Sequence, residues 1–481
     1  MVLNSIHYFV FIALIFSIYY CSPDRKRWFL LLVGSFIFYG FYQSPLLLFV
    51  LAGIAIISYY TGICLDNDES VGHRKKTLIM GVILNLSFLI YLKYLPFIVD
   101  NINILIKIAG YEGSIMSPSP LLSVGVSFYI FQAISYLADV YFKTIRAERH
   151  FGYLALSLSF FPKLLQGPIE RAGTLIPQLK KEYVFNYDNF RTGLCLISFG
   201  LFKKIVIADR LGFYTDAVYN DIHQFSGIPL ILATYAYAFQ IYMDFSGYTD
   251  MARGSARLFN VNLTENFRSP YLATSIPDFW RRWHITLSRW IFDYVFEPLQ
   301  MKFRNGGAAA TTLSLVLTFL ICGFWHGANW TYLVWGLIHG IYMGVAFLYA
   351  PFKRKLRRTF HFQETSFSKI LKIIITFNLV CFSMIFFRAQ DLSDAFYVVL
   401  NMFRTSKGLF AEFLYLRGGK QDLFILGISF FWVFFIPRYK QWIVKLTEQQ
   451  FFLRWALYFF WIIGITLLAN KTSSDFIYMG F

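Results

Sequence analysis

The sequence predicts an all-α polytopic membrane protein, and three observations lead to that class. Hydrophobic residues make up 57% of the 481 positions and aromatic residues 21%, against 15% charged, a balance far more apolar than soluble globular usage. Apolar runs of helical length recur throughout with no polar linker, charge block, low-complexity stretch or internal repeat between them, so residues 1–481 read as a single integral-membrane domain. The formal net charge of +17 sits in basic clusters within the short connectors. That is the pattern of membrane topology signals, and it argues against a nucleic-acid partner.

The first window, 3–22, lacks a basic leader and a small-residue cleavage site and is read as a spanning helix. Further windows fall at 28–42, 45–64, 77–99, 120–142, 190–208, 228–244, 311–325, 329–350, 368–387, 421–436 and 452–469. Several are too short to cross about 30 Å of hydrocarbon, so they are expected to be tilted, re-entrant or buried in protein. The basic clusters at Arg25 to Arg27, Arg74 to Lys76, Lys143 with Arg146 and Arg149, and Lys353 to Arg358 fit one cytoplasmic side, and the lightly charged segment from about Asp100 to Pro120 fits an outer loop. With Arg438 and Lys440 as an inner connector, both termini are expected outside a plasma or inner membrane. The five cysteines lie far apart with no C-x-x-C or zinc-like spacing and are read as buried thiols, so no metal site is expected.

From about Phe160 to Pro298 the pattern changes, mixing Pro, Gly and charged groups with aromatics. Irregular backbone at membrane depth is tolerated where it is buried in protein or lines a water-filled cavity, so re-entrant and interfacial helices around a central funnel or tunnel are expected. Within SIPDFWRRWHITLSRWIFDYVFEPL, 275–299, Ser275 is placed to cap a helix with Asp278 three residues on. Trp280, Trp283, Leu287, Trp290, Ile291 and Tyr294 then recur at helical spacing, with Arg281 and Arg282 nearer the other face. Two readings stand: an interfacial anchor, or a contribution of Arg281, Arg282 or His284 to binding a phosphorylated donor. Asp244 follows the apolar run TYAYAFQIYM and needs donors around it, either as a structural ion pair with a nearby arginine or as a supporting residue of the funnel.

The stretch TLSLVLTFLICGFWHGANWTYLVWGLIHGIYMG, 312–344, holds His326 between Trp325 and Gly327. An imidazole at that depth is a functional candidate by default, and His326 is read as the centre of the chemistry. His339 lies thirteen residues on, roughly 220° around a continuous helix. The two cannot share a face unless Gly327 to Asn329 interrupts the helix, so His339 is assigned a structural or supporting role alongside Trp325 and Asn329.

FPKLLQGPIER at 161–171, ENFRSPY at 265–271, WRRWHITLSRW at 280–290 and the WHG at 325–327, taken together and in this order, resemble the membrane-bound O-acyltransferase (MBOAT) family. The similarity is greatest to its bacterial branch acting on alginate, peptidoglycan and teichoic acid. It runs from about 160 to 344 and includes the closing FIYMGF, 476–481. Where alginate-type relatives follow the arginine-rich helix with Pro-Leu-Gly-Gly, this chain has EPLQMKFRNGG at 297–307.

The resemblance implies an MBOAT-like helical bundle that moves an acyl group, usually acetyl, from a cytoplasmic thioester to a hydroxyl acceptor on the far side. It implies no bound cofactor. The donor is acetyl-CoA or an acyl carrier protein thioester, and the acceptor is a polysaccharide or cell-wall polymer. His326 is suited to be the general base, and the resemblance makes Tyr478 of the F-x-Y-x-x-F ending a possible acyl relay. A phenol is a poor nucleophile near neutrality until a base takes its proton; an aromatic interface anchor is the simpler role for the same ending. The scheme also implies a separate outer-face partner of the SGNH type, since no G-x-S-x-G elbow occurs in this chain. D-alanyl transfer to teichoic acid is the near alternative, and a transporter using Asp209, Arg210 and Asp244 is the alternative of another class. The D-x-D of Asp66 to Asp68 reads as a solvated connector, not a synthase site.

Overall fold

The computed structural model describes residues 2–42, 45–118, 124–360, 365–405, 424–425, 427–428, 430–431, 450–469 and 476–477. Tyr478, the basic pair Arg438 and Lys440, and most of the window 421–436 lie outside these residues. Among the described residues all regular secondary structure is helical, and two compact units form, one of Met1–Ser198 with Tyr248–Glu265 and one of Phe199–Gly247 with Asn266–Ile477.

The first unit begins with α1 (Ile6–Cys21), capped by Ser5, whose hydroxyl accepts the Tyr8 N–H, and α2 (Asp24–Tyr42). α3 (Pro45–Asn67) is followed by α4 (Val71–Leu89), which runs through a π turn into α5 (Leu95–Ile108). α6 (Val126–Tyr141) packs against α3 and α4, and α7 (Phe151–Ser159) against α2, α3 and α8 (Ala172–Lys180). Arg74 is 5% exposed and donates to the carbonyls of Leu65, Val140 and Tyr141 near the ends of α3 and α6. Helix C-termini leave carbonyls without intrahelical donors, so one member of a basic cluster expected as a topology signal also ties two helix ends together.

α9 (Tyr187–Leu201) leads into the second unit through a π segment at Phe202–Ala208 and α10 (Asp209–Tyr219). α11 (Ile228–Leu258) extends well past the apolar window 228–244. Its polar second half stays helical because it is buried: Asp244, Ser246, Thr249 and Ser255 are all 2% exposed or less. The arginine-rich stretch does not form one helix but α12 (Ile276–Trp280), α13 (Ile285–Ile291), a π turn and α14 (Glu297–Lys302). α15 (Gly307–His326), α16 (Trp330–Thr359), α17 (Ser366–Arg388), α18 (Leu392–Asn401) and α19 (Phe451–Leu468) complete the unit.

Six helices among the described residues are long and apolar enough to cross a bilayer: Pro45–Asn67, Val71–Ile108, Arg304–His326, Trp330–Leu356, Ser366–Arg388 and Phe451–Leu468. Apolar side chains such as Phe49, Ile83, Phe367 and Phe460 project from them, as lipid-facing surfaces require. All five cysteines are free thiols, but only Cys322 and Cys381 are buried, and Cys21 and Cys64 lie on exposed faces. The fold is therefore all-α and polytopic.

The tightest helix pair carries the WHG sequence. α15 and α16 meet where neither helix has a side chain: a Cβ on Gly323 would lie 2.2 Å from the Tyr332 carbonyl oxygen, and one on Gly336 2.3 Å from that of Phe319. Small residues allow helix backbones to approach this closely in membranes. Gly336→Val is expected to destabilise the protein by about 2–3 kcal/mol through overpacking, read as a lower thermal midpoint in detergent. An unchanged midpoint would show that the contact is not needed.

Candidate active site

The site is built around the break between α15 and α16. α15 ends at His326, Gly327 is extended, and Asn329 starts α16 by accepting the Thr331 N–H at 3.0 Å. The Asn329 amide also donates to the Gln390 carbonyl at 3.0 Å, which ties the turn to the segment after α17. The helix is thus interrupted at the place where the sequence allowed an interruption. The angular separation of a continuous helix no longer holds, and His326 and His339 flank the same indole, Trp335, at ring-centroid distances of 5.0 and 4.8 Å.

His326 is 3% exposed, with Trp325 at 4.7 Å and Phe387 at 5.1 Å completing an aromatic surround. His339 is fully buried. Its Nδ1 accepts from the Trp280 indole N–H at 3.3 Å, and its Nε2 faces the Ser383 hydroxyl at 2.9 Å. Ser383 donates its own proton to the Val380 carbonyl, so a neutral His339 carrying its proton on Nε2 satisfies every partner. That arrangement uses both ring nitrogens for positioning. The Trp335 indole N–H is buried and has no hydrogen-bond partner among the described residues; sequence reasoning gave no reason to single it out.

His284 adopts φ 42°, in the left-handed region that a helix interior excludes, which is why the stretch from Trp280 to Ile291 breaks into two short helices. Ser275 caps the first of them, accepting the Asp278 N–H at 3.3 Å as its spacing predicts. The turn is held by ENFRSPY: Asn266 accepts from the Ile285 N–H with its carbonyl and from Thr286 with its side chain, and the Arg268 N–H donates to the Arg282 carbonyl. Arg281 is exposed, and Arg282 pairs with Asp278 at 2.9 Å. His284 does not join them. It is fully buried, against Phe245 at 4.7 Å and Trp325 at 6.3 Å, and burial holds its pKa down to about 3.

Asp244 is 1% exposed, and its partner is a lysine, not the expected arginine: Lys204 Nζ lies 2.7 Å from its Oδ1 and 2.8 Å from Asp209 Oδ1. The other Asp244 oxygen accepts the Ile477 N–H at 2.9 Å. In the first unit the FPKLLQGPIER segment buries Lys163, which donates to Gln132 and whose pKa burial lowers to about 7. Glu170 of the same segment accepts from the Thr264 backbone and hydroxyl; burial raises its pKa, and these bonds and Lys163 oppose the shift. The visible sequence signal for both lysines was a cation inside an apolar run. Among the described residues no three His, Cys, Asp or Glu side chains converge as metal ligands would.

The sequence profile of the membrane-bound O-acyltransferase family matches residues 151–390. The chain is 37% identical over 407 residues to the peptidoglycan O-acetyltransferase of Helicobacter pylori, an alignment covering 78% of this chain and 73% of that one. It is 34% identical over 408 residues to the probable alginate O-acetylase AlgI of Azotobacter vinelandii, covering 83% and 77%. Identity to the teichoic acid D-alanyltransferase of Bacillus subtilis is 28% over 284 residues, covering 57% and 70%. Polytopic helical architecture and these likenesses define the class, a multi-pass membrane enzyme that transfers acyl groups to hydroxyls. The chain belongs to the membrane-bound O-acyltransferase family, which removes the transporter reading.

The depressed pKa of His284 makes a pH prediction. Between its folded value of about 3 and an ordinary value near 6.5, the unfolded chain binds a proton that the folded chain excludes. Its contribution to stability is therefore complete above about pH 6.5 and falls away as the pH drops toward 3. His284→Phe is expected to lose less thermal stability than the wild type on going from pH 7 to pH 5. Equal losses in the two proteins would contradict the assignment.

Proposed function

We propose that the protein transfers an acetyl group from a cytoplasmic thioester, through the membrane, for O-acylation of an extracytoplasmic polysaccharide or cell-wall polymer. His326 acts as the general base, at a site formed by a single membrane domain with both termini outside the inner membrane. The observation that carries this reading is the burial of the His326 imidazole among Trp325, Trp335 and Phe387 beside a helix break, in a chain of this family. Its relatives named for acetyl transfer match it at 34–37% identity, and the D-alanyltransferase of Bacillus subtilis at 28%. Acetyl is therefore preferred to D-alanyl as the acyl group.

In the first half-reaction His326 takes the proton of the Tyr478 phenol, and the phenolate attacks the thioester carbonyl. The C–S bond breaks as the tetrahedral intermediate collapses, and the thiolate leaves with the proton held on the imidazole. The buried Trp335 N–H supplies a donor beside His326 for the oxyanion that forms on the carbonyl oxygen. His339, Asn329 and Trp325 position the hairpin. In the second half-reaction the aryl acetate, more activated than an alkyl ester, passes to a hydroxyl of the polymer with the help of a separate SGNH-type partner. Arg281 and Arg282 offer charge for a phosphorylated donor, either coenzyme A or the phosphopantetheine of a carrier protein, and His284 supports the aromatic wall behind Trp325.

His326→Ala is expected to lower acetyl transfer by at least about a hundredfold, the scale of general-base catalysis, while the protein still elutes as a folded species in detergent. Retained turnover would remove His326 from this role. The intact mass of the C-terminal peptide after incubation with acetyl-CoA is expected to rise by one acetyl group on Tyr478. Transfer that proceeds without this adduct excludes the relay.

A further inference from the structure

A buried cation between two carboxylates is costly to assemble, and its geometry shows what it holds. Lys204 and Asp209 are five residues apart, about 140° around an ordinary α-helix. They meet because Phe202–Ala208 is a π segment, in which the Asp209 N–H bonds back to the Lys204 carbonyl; such segments are frequent at functional sites. The ammonium is thereby turned toward Asp244 of α11, and all three side chains are 4% exposed or less. Two described residues near the end of the chain complete the cluster. The Phe476 ring, 1% exposed, lies 4.4 Å from Lys204 Nζ, and the Ile477 N–H donates to Asp244. Upstream, Arg210 donates to the Leu468 carbonyl at the end of α19, at 2.7 Å.

We infer that Lys204, Asp209 and Asp244 form a binding site for the chain's own C-terminal segment, one that takes an aromatic ring on the lysine and the next main-chain N–H on the aspartate. The chemistry is specific. A carboxylate held in dry surroundings has high demand for donors, and Asp244 divides its two oxygens between the ammonium and one backbone N–H. The ring packs on the same ammonium as a cation–π partner. Asp244 and Lys204 are positioning residues: the residue after Ile477 is Tyr478, so the anchor lies one peptide from the phenol that the relay requires. Only that consequence rests on the relay reading; the binding site itself stands on the contacts of Phe476 and Ile477.

Ile477→Pro tests the site because it deletes the donating N–H and leaves the ionic cluster intact. Ile477→Ala, which keeps the N–H, is the matched control. The full-length protein in detergent is followed by hydrogen exchange of the peptide covering 470–481. Exchange at least about tenfold faster in the proline variant and unchanged in the alanine variant is expected, since hydrogen bonds to charged acceptors are among the stronger ones. Exchange no faster in the proline variant than in wild type would overturn the site. Acetyl transfer measured on the same samples separates the two ideas. A released tail with lost transfer supports both, whereas a released tail with full transfer keeps the binding site and rules out the relay through Tyr478.

Discussion

Two helices touch backbone to backbone at Gly323 and Gly336, and the rings of the candidate active site take their places from that contact. α15 and α16 come this close on either side of a three-residue break, Gly327 to Asn329. Trp335 then lies between His326 and His339. A side chain at either glycine would overlap the facing backbone, so the helices would have to separate. The pairs of His339 with Trp280 and Ser383 act as secondary locks on an arrangement that the backbone approach already fixes.

Several polar groups buried in this apolar protein are held by partners close by in their own unit. His339 uses both nitrogens, Arg74 fills the carbonyls of two helix ends, and Lys204 neutralises one of two carboxylates while a backbone N–H serves the other oxygen of Asp244. Breaking such a pair by removing one partner costs about 3–5 kcal/mol, so these clusters are fixed points of the fold. The Trp335 N–H, among other buried polar atoms, has no hydrogen-bond partner among the described residues.

Most helices were legible in the sequence because their signal is local. The windows 311–325, 329–350, 368–387 and 452–469 correspond to α15, α16, α17 and α19 within a few residues, apart from the polar end of α16. Two errors share one cause. The window 228–244 stopped where polarity began, yet α11 runs on to Leu258, and the aromatic spacing of 275–299 was extended through a residue with φ 42°. Periodicity reports which residues want burial; it does not report that Asn266 and Arg268, far along the chain, bond to a turn and hold it in a left-handed conformation. For the same reason His326 could be chosen from sequence alone, whereas the lysine partner of Asp244 lies forty residues away on a π segment with no simple sequence signature.

Under the proposed relay, a thioester on one face of the membrane and a polymer on the other are served in two successive transfers. In that proposal a carrier tyrosine makes the first transfer intramolecular, where good orientation replaces a bimolecular encounter. Such a carrier gains nothing if its tether is loose, because effective concentration falls as the accessible volume grows. An anchor immediately before the carrier is therefore what the physics asks for. In the proposed scheme Phe476 and Ile477, held by a buried ionic cluster that salt screens far less than an exposed one, supply that anchor through one ring and one N–H.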